Sequence, residues 1–364
     1  MRACIITFQS ANNYGAVLQA YALQKYLNET YADTRIVDYH NSSIDKSYMQ
    51  PRLVDFFHSP KNAIFRTMQA VLFKGKNAKI DMFRKKYLPL TKRYEANTIS
   101  SALEEGDVFI TGSDQVWNYL IVEQDKTYYL DFAKEKRTCS YAASFGVDMI
   151  PTEYQQFYRQ QLCNIEYLSV REEKGAELVR ELSNQNVAVM PDPTLLIKRE
   201  IWEDICITPD IKMPYILVYK ITKADHLLQF AKNLSKKTGL PIIYIPNDLK
   251  SGTIGSLKLD IGPQEFLGYI RNAEYIVTNS FHGTVFSIIF GRKFFSEMSK
   301  RVNPSTSRLH SLLTMFGLED RTFEKYSESM LDKELPMDDI SRKLDFQRRE
   351  ANLFFDKVFN GVKS

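Results

Sequence analysis

The feature that most constrains this chain is a repeated alternation: a short apolar run, a polar turn, then a segment with helical apolar spacing. Ala3 to Thr7 is a run of the buried-strand type, Phe8 to Tyr14 a polar loop, and Gly15 opens a helix with Leu18, Tyr21, Ala22 and Tyr26 on one face. Arg35 to Tyr39 is the next strand. Strands joined through helices must run parallel, because only a long crossover returns the chain to the same edge. The pattern recurs at Asp107–Thr111 and Tyr167–Val170, then in a helix from Lys174 to Leu182 and a strand from Val187 to Met190. Pro191-Asp192-Pro193 closes the series with a rigid turn.

A second series begins after it. Tyr215–Tyr219, Ile242–Ile245 and Tyr275–Thr278 read as strands, with a helix over Ala224–Lys237 and another started by Gly262-Pro263. Arg308–Phe316 and Ile340–Val358 read as further helices. The expected fold class is therefore α/β, with two Rossmann-like domains facing across a cleft. The boundary falls near residue 197. The expected domains are 1–197 and 198–364, and the terminal helix of the second is able to pack back on the first.

Length and composition agree with this. A chain of 364 residues suits two domains, and 44% hydrophobic with 25% charged residues is ordinary for a globular protein. The net charge of +4 is spread along the chain, which argues against a nucleic-acid partner. Cys4, Cys139, Cys163 and Cys206 form no C-x-x-C pair; they read as reduced, buried thiols of a cytoplasmic protein, without a structural zinc site. His40, His58, His226 and His310 likewise lack ligand spacing, so no metal is expected. The opening M-R-A-C-I-I-T-F reads as a strand, its apolar run being too short for a signal peptide, and no segment has the length of a membrane span. The stretch Phe56–Phe73 is apolar and mildly basic, and reads as a helix packed on its own domain in preference to a membrane-facing one.

Chemistry concentrates where strands end. In an open α/β sheet ligands bind at the carboxyl edge, and helix-start amides there favour anions. Tyr275–Gly283 reads Y-I-V-T-N-S-F-H-G, so His282 falls between a strand and a buried helix, with Ser280 and Gly283 beside it. Histidine moves protons near neutral pH, although a lone histidine at such a junction is more often a hydrogen-bonded structural residue than a catalyst. Asn12 and Asn13 can bond hydroxyls, and Gly15 permits close backbone approach; the alternative is a turn feeding a helix cap. Ser113 and Asp114 end another strand, where Asp114 is either a hydroxyl ligand or a turn residue. Arg171 can hold a carboxylate or phosphate through paired hydrogen bonds, or else pair with Glu172 or Glu173. Asp192, between prolines, reads as structural. Arg308 either reaches the site or faces solvent. The chain has neither a Walker loop nor a G-x-G-x-x-G fingerprint, so dinucleotide binding is unsupported.

These motifs in series resemble the polysaccharide pyruvyl transferase family. The matching pieces are N-N-Y-G-A-V-L-Q-A-Y-A-L, G-S-D-Q-V-W at 112–117, S-Y-A-A-S-F-G at 140–146, L-S-V-R-E-E at 168–173, D-P-T-L-L at 192–196 and N-S-F-H-G-T at 279–284. The resemblance implies a fold similar to the GT-B glycosyltransferases, with the acceptor on the N-terminal side. It implies transfer of pyruvate from phosphoenolpyruvate to a sugar of a cell-surface polysaccharide precursor, as a ketal. Phosphoenolpyruvate is then a donor substrate and no cofactor is needed. His282 would exchange protons and Arg171 would clamp the donor anion. A lipid-linked acceptor would bring the enzyme to the inner membrane face. The chain departs from the family's R-L-H-G by carrying Ser280 in place of an arginine, for which Arg308, Arg271 or Lys220 would have to substitute. Two other readings remain: a GT-B glycosyltransferase using a nucleotide-sugar donor, and a non-catalytic binding member of the family.

Overall fold

The structure is a computed structural model describing residues 1–41, 67–221, 225–247, 252–298 and 306–361. The described chain forms two compact units. One holds residues 1–41, 84–198 and 341–361; the other holds 67–83 and the described residues of 199–340. The main divide thus falls between Lys198 and Arg199. The 67–83 segment, which the sequence reading counted with the first domain, belongs to the second unit. It buries Phe73, Ile80 and Phe83, and Lys79 Nζ lies 2.9 Å from Glu265 and 3.0 Å from the Asp260 carbonyl.

The first unit is built on β1 (Arg2–Ile6), β2 (Asp33–Tyr39), β3 (Leu90–Tyr94), β4 (Val108–Thr111) and β5 (Arg137–Ser140). They form one parallel sheet in the order β3-β2-β1-β4-β5. Ile5 sits at its centre, in register with Ile36 on one side and Ile110 on the other. All four residues of β4 are buried, which is why it reads as an unbroken apolar run. At the edge, β3 exposes Lys92 and Arg93, charges that discourage pairing with another sheet. A short parallel pair, β6 (Ser169–Val170) and β7 (Ala188–Val189), joins the β5 side through bridges from Cys139 to Tyr167 and Ala143 to Val170.

The second unit repeats the plan. Its strands are β8 (Ile216–Lys220), β9 (Ile242–Pro246), β10 (Ser256–Leu257), β11 (Tyr275–Thr278) and β12 (Lys293–Ser296). The sheet is parallel in the order β10-β9-β8-β11-β12, with Ile276 opposite Leu217 and Phe294. In each sheet the strand order reverses beside the first strand, between β1 and β4 and between β8 and β11. That reversal opens a crevice at the carboxyl ends of those strands.

The terminal helix Met337–Asn360 packs its residues beyond 340 within the first unit. Phe355 stacks on Tyr141 at 4.7 Å, Phe359 on Tyr31 at 5.0 Å, and Arg137 donates to the carbonyls of Val358 and Phe359. Of the cysteines, Cys4 and Cys139 are buried, but Cys163 is exposed at the end of the helix Thr152–Leu162, because that position faces away from the sheet. Residues 56–66 of the apolar stretch lie outside the described residues. In its remainder Phe73 is buried, while Met68, Val71 and Leu72 are exposed. Among the described residues no helix is long and apolar enough to cross a membrane.

Candidate active site

The second unit places His282 beside its switch point. β11 ends at Thr278, and the helix Phe281–Ile289 starts three residues later. Ser280 is the cap: its Oγ accepts from the Gly283 N–H at 3.1 Å, and its carbonyl accepts from Thr284. The turn is tied to the neighbouring strand from both sides. Thr278 Oγ1 donates to the Tyr219 carbonyl at 2.7 Å, and the Asn279 side chain accepts from the Ile221 N–H at 2.9 Å. Gly283 is required by this closeness, since a Cβ there would lie 2.7 Å from Thr278 Oγ1 and 3.1 Å from the Tyr219 ring. The helix is buried on every side, and Phe286 meets the Trp202 ring edge-on at 4.9 Å, which fixes its axis. The result is an imidazole, 9% exposed, set rigidly at the carboxyl edge.

Three buried charged residues share that unit, and two of them, Lys220 and Glu297, lie at strand ends on that edge. Lys220 is the last residue of β8, across the switch point from β11. Arg308 is buried in the helix Thr306–Phe316, which packs against the helix of His282. Glu297 follows β12, and its N–H donates to the Thr278 carbonyl at 2.9 Å. Lys76 belongs to the same unit: its Nζ is 3.4 Å from Asn247, just past β9, and burial lowers its ammonium to about 8. Arg271, by contrast, precedes β11 at the amino edge and faces Glu203 at 3.6 Å, so it lies at the wrong end of the sheet to replace an arginine at 280.

The first unit's switch point holds the other expected residues. Asn13 caps the helix Tyr14–Thr30 by accepting from Ala16 N–H, and Gly15 lies in that helix's first turn. Arg84 fastens the preceding loop through the carbonyls of Gln9, Ser10 and Ala11 and the Asn12 side chain, at 2.6 to 3.0 Å. Asp114 is half-buried with φ 88°, a left-handed conformation that costs a non-glycine residue about 1–3 kcal/mol.

Arg171 and Ser113 meet a carboxylate from within the first unit. Both are buried and turned onto Asp192, whose Oδ2 accepts from Arg171 at 2.8 Å and from Ser113 Oγ at 3.0 Å. Glu172 lies 3.8 Å from the guanidinium. Burial opposes the charge on Arg171, but Asp192, Glu172 and Asp114 raise it above the ordinary arginine value. Asp192 Oδ1 also caps Thr194 at 3.1 Å. The guanidinium is therefore paired internally, through one of its nitrogens, with Asp192. The reason is that β7 runs parallel beside β6, so the proline-bounded turn after β7 sets Asp192 next to the residue that follows β6.

Sequence reasoning passed over Glu297, Lys76 and Arg84. Lys76 sits in an ordinary polar stretch, and Glu297 follows the short run Lys293–Ser296, which the sequence reading did not take as a strand. Arg84 lies in the basic run R-K-K-Y and is distinguished only by its four loop contacts. Among the described residues no group of three His, Cys, Asp or Glu side chains is arranged to hold a metal ion.

Comparison with known proteins accords with the architecture. The family model described as polysaccharide pyruvyl transferase matches residues 13–296. A search of curated proteins finds no match. Among solved structures, UDP-GlcNAc 2-epimerase from Methanocaldococcus jannaschii is similar with a TM-score of 0.55 at 13% identity, covering 98% of this chain and 99% of that one. UDP-N-acetylglucosamine 2-epimerase from Rickettsia bellii is similar with a TM-score of 0.51 at 9% identity, covering 98% and 96%. At such identities the likeness concerns the fold alone, which is GT-B-like.

Proposed function

Because the chain belongs to the polysaccharide pyruvyl transferase family, we propose that it moves the pyruvate moiety of phosphoenolpyruvate onto two hydroxyls of a sugar in a cell-surface polysaccharide precursor. The observation that carries this reading is the β11–helix junction. There a buried histidine in a capped helix start stands at a switch-point edge, with the buried Lys220 ending the neighbouring strand and the buried Arg308 in the helix packed against its own.

The chemistry requires those parts. Phosphoenolpyruvate is a carboxylate and a phosphate on one small enol, so its binding calls for fixed cations in a water-poor setting. In this reading Lys220 and Arg308 supply the positive charge that the family places at position 280. Ser280 instead secures the helix start, and its hydroxyl is already used by Gly283. His282 takes the proton from the attacking sugar hydroxyl and returns it to the departing phosphate. For the first unit we assign acceptor binding to its own switch-point edge, where Asn12 and the strained Asp114 offer groups for hydroxyls. Arg171 acts there through Asp192, holding Ser113 and the turn before Asp114 in place. A lipid-linked acceptor and a transient stay at a membrane surface fit this reading.

The test is incubation with phosphoenolpyruvate and a panel of methyl glycosides, following phosphate release. Replacing His282 by Ala should reduce the rate by about 100- to 10,000-fold. No release by the unmodified protein, together with no calorimetric binding of phosphoenolpyruvate, removes the proposal. Binding of UDP under those conditions would point to a nucleotide-sugar donor.

A further inference from the structure

Ketal formation needs protons moved in opposite senses, one onto the methylene carbon and one off each sugar hydroxyl. His282 accounts for the second. Glu297 is placed for the first. It follows β12 directly and is pinned one strand from the β11–helix junction, through its own N–H to the Thr278 carbonyl at 2.9 Å and through Ser296 Oγ to Thr284 Oγ1 at 2.9 Å. Neighbouring strands lie about 4.8 Å apart, so its side chain starts at the same edge as the histidine's helix. It is 6% exposed, and among the described residues neither carboxyl oxygen has a hydrogen-bond partner.

A buried carboxylate without donors is unstable. Such a group survives either as a neutral acid or by meeting a ligand. The charged groups facing it are His226 and Asp225, from the helix Asp225–Thr238, Glu324 from the turn Phe323–Lys325, and Lys220 from the end of β8. Burial is the main influence and raises the carboxyl to about 7; His226 and Lys220 oppose the rise, and Glu324 and Asp225 add to it. A carboxylic acid of this kind is half protonated at neutral pH, which suits an acid catalyst.

We propose that Glu297 is the residue that protonates the methylene carbon of the donor, with His282 as the base. The proposal rests on the pyruvyl-transfer reading. The carboxyl O–H gives its proton to the methylene carbon, whose π pair forms the new C–H bond. The first sugar hydroxyl adds to the neighbouring carbon and loses its proton to His282. The carbon–oxygen bond to phosphate breaks, and phosphate leaves with the proton from His282. The second hydroxyl then closes the ketal, and its proton restores Glu297. One hydroxyl proton ends in the phosphate and the other is replaced through Glu297 into the methyl group, so both residues return to their starting states.

The experiment compares the full-length protein with Glu297→Gln and Glu297→Asp, using phosphoenolpyruvate and the methyl glycoside panel across pH 5 to 9. The expected result for Glu297→Gln is a kcat lowered by about 100-fold or more, with a KM for phosphoenolpyruvate within about threefold. The alkaline limb of the pH profile, which in the unmodified protein reports loss of the acid above pH 7, should disappear. Glu297→Asp should retain that limb at a reduced rate. A Glu297→Gln protein that keeps its alkaline limb and a rate within threefold overturns the inference while leaving pyruvyl transfer standing. An unmodified protein that never consumes phosphoenolpyruvate overturns the reading beneath it. Calorimetric binding of phosphoenolpyruvate by each variant verifies that the second unit is folded.

Discussion

Burial of Glu297 has a consequence for stability that can be read without any substrate. In the folded chain its carboxyl moves from the ordinary value of 4.5 to about 7. A group whose folded value is raised binds its proton more tightly in the native state. Below about pH 4.5 both states are protonated and nothing is lost. Between 4.5 and 7 the unfolded chain releases the proton first, so stability falls as pH rises; above 7 the loss is complete. At 1.36 kcal/mol for each unit, the full difference is about 3 kcal/mol, and screening at the sheet edge brings it nearer to 2. Glu297→Gln keeps the shape and cannot ionise. Whatever constant offset its amide introduces, the gap between variant and parent should open by about 2–3 kcal/mol from pH 4.5 to pH 7.5 in the variant's favour. The two tryptophans make the assay local: with Trp117→Phe as background, Trp202 fluorescence reports the second unit during urea unfolding. A gap of the same size at both pH values would refute the argument, because it would mean that the carboxyl titrates alike in the folded and unfolded chain.

Two further outcomes follow from the first unit. Asp192→Ala leaves the buried Arg171 guanidinium without its carboxylate and should cost about 3–5 kcal/mol, measured by chemical denaturation followed through Trp117. Asp114→Gly removes the left-handed strain at φ 88° and should stabilise by about 1 kcal/mol in a thermal melt, while lowering the rate of phosphate release through loss of the carboxylate.

The β/α alternation was legible because central strands are buried on both faces. Val108–Thr111 and Tyr275–Thr278 read as unbroken apolar runs for that reason. The junction at His282 was legible because a strand must end and a helix must be capped, and Asn279 and Ser280 are residues that do both. Arg171 shows where local reading stops. A strand-end arginine looks the same whether its anion is a ligand or an aspartate, and Asp192 comes from 21 residues further along. Glu297 was invisible for the opposite reason: it follows a strand too short to read from its two phenylalanines, and only the packing of β12 beside β11 removes it from water. The membership of 67–83 in the second unit was hidden likewise, since Lys79 reveals its attachment only through partners at Asp260 and Glu265.

The most direct measurement is carbon NMR of the sugar product after incubation with phosphoenolpyruvate labelled at its central carbon. Ketal transfer at the His282 junction predicts a labelled quaternary carbon bonded to two sugar oxygens, formed by the unmodified protein and absent with His282→Ala. Label recovered solely in phosphoenolpyruvate or free pyruvate, or a ketal formed equally well without His282, would contradict it.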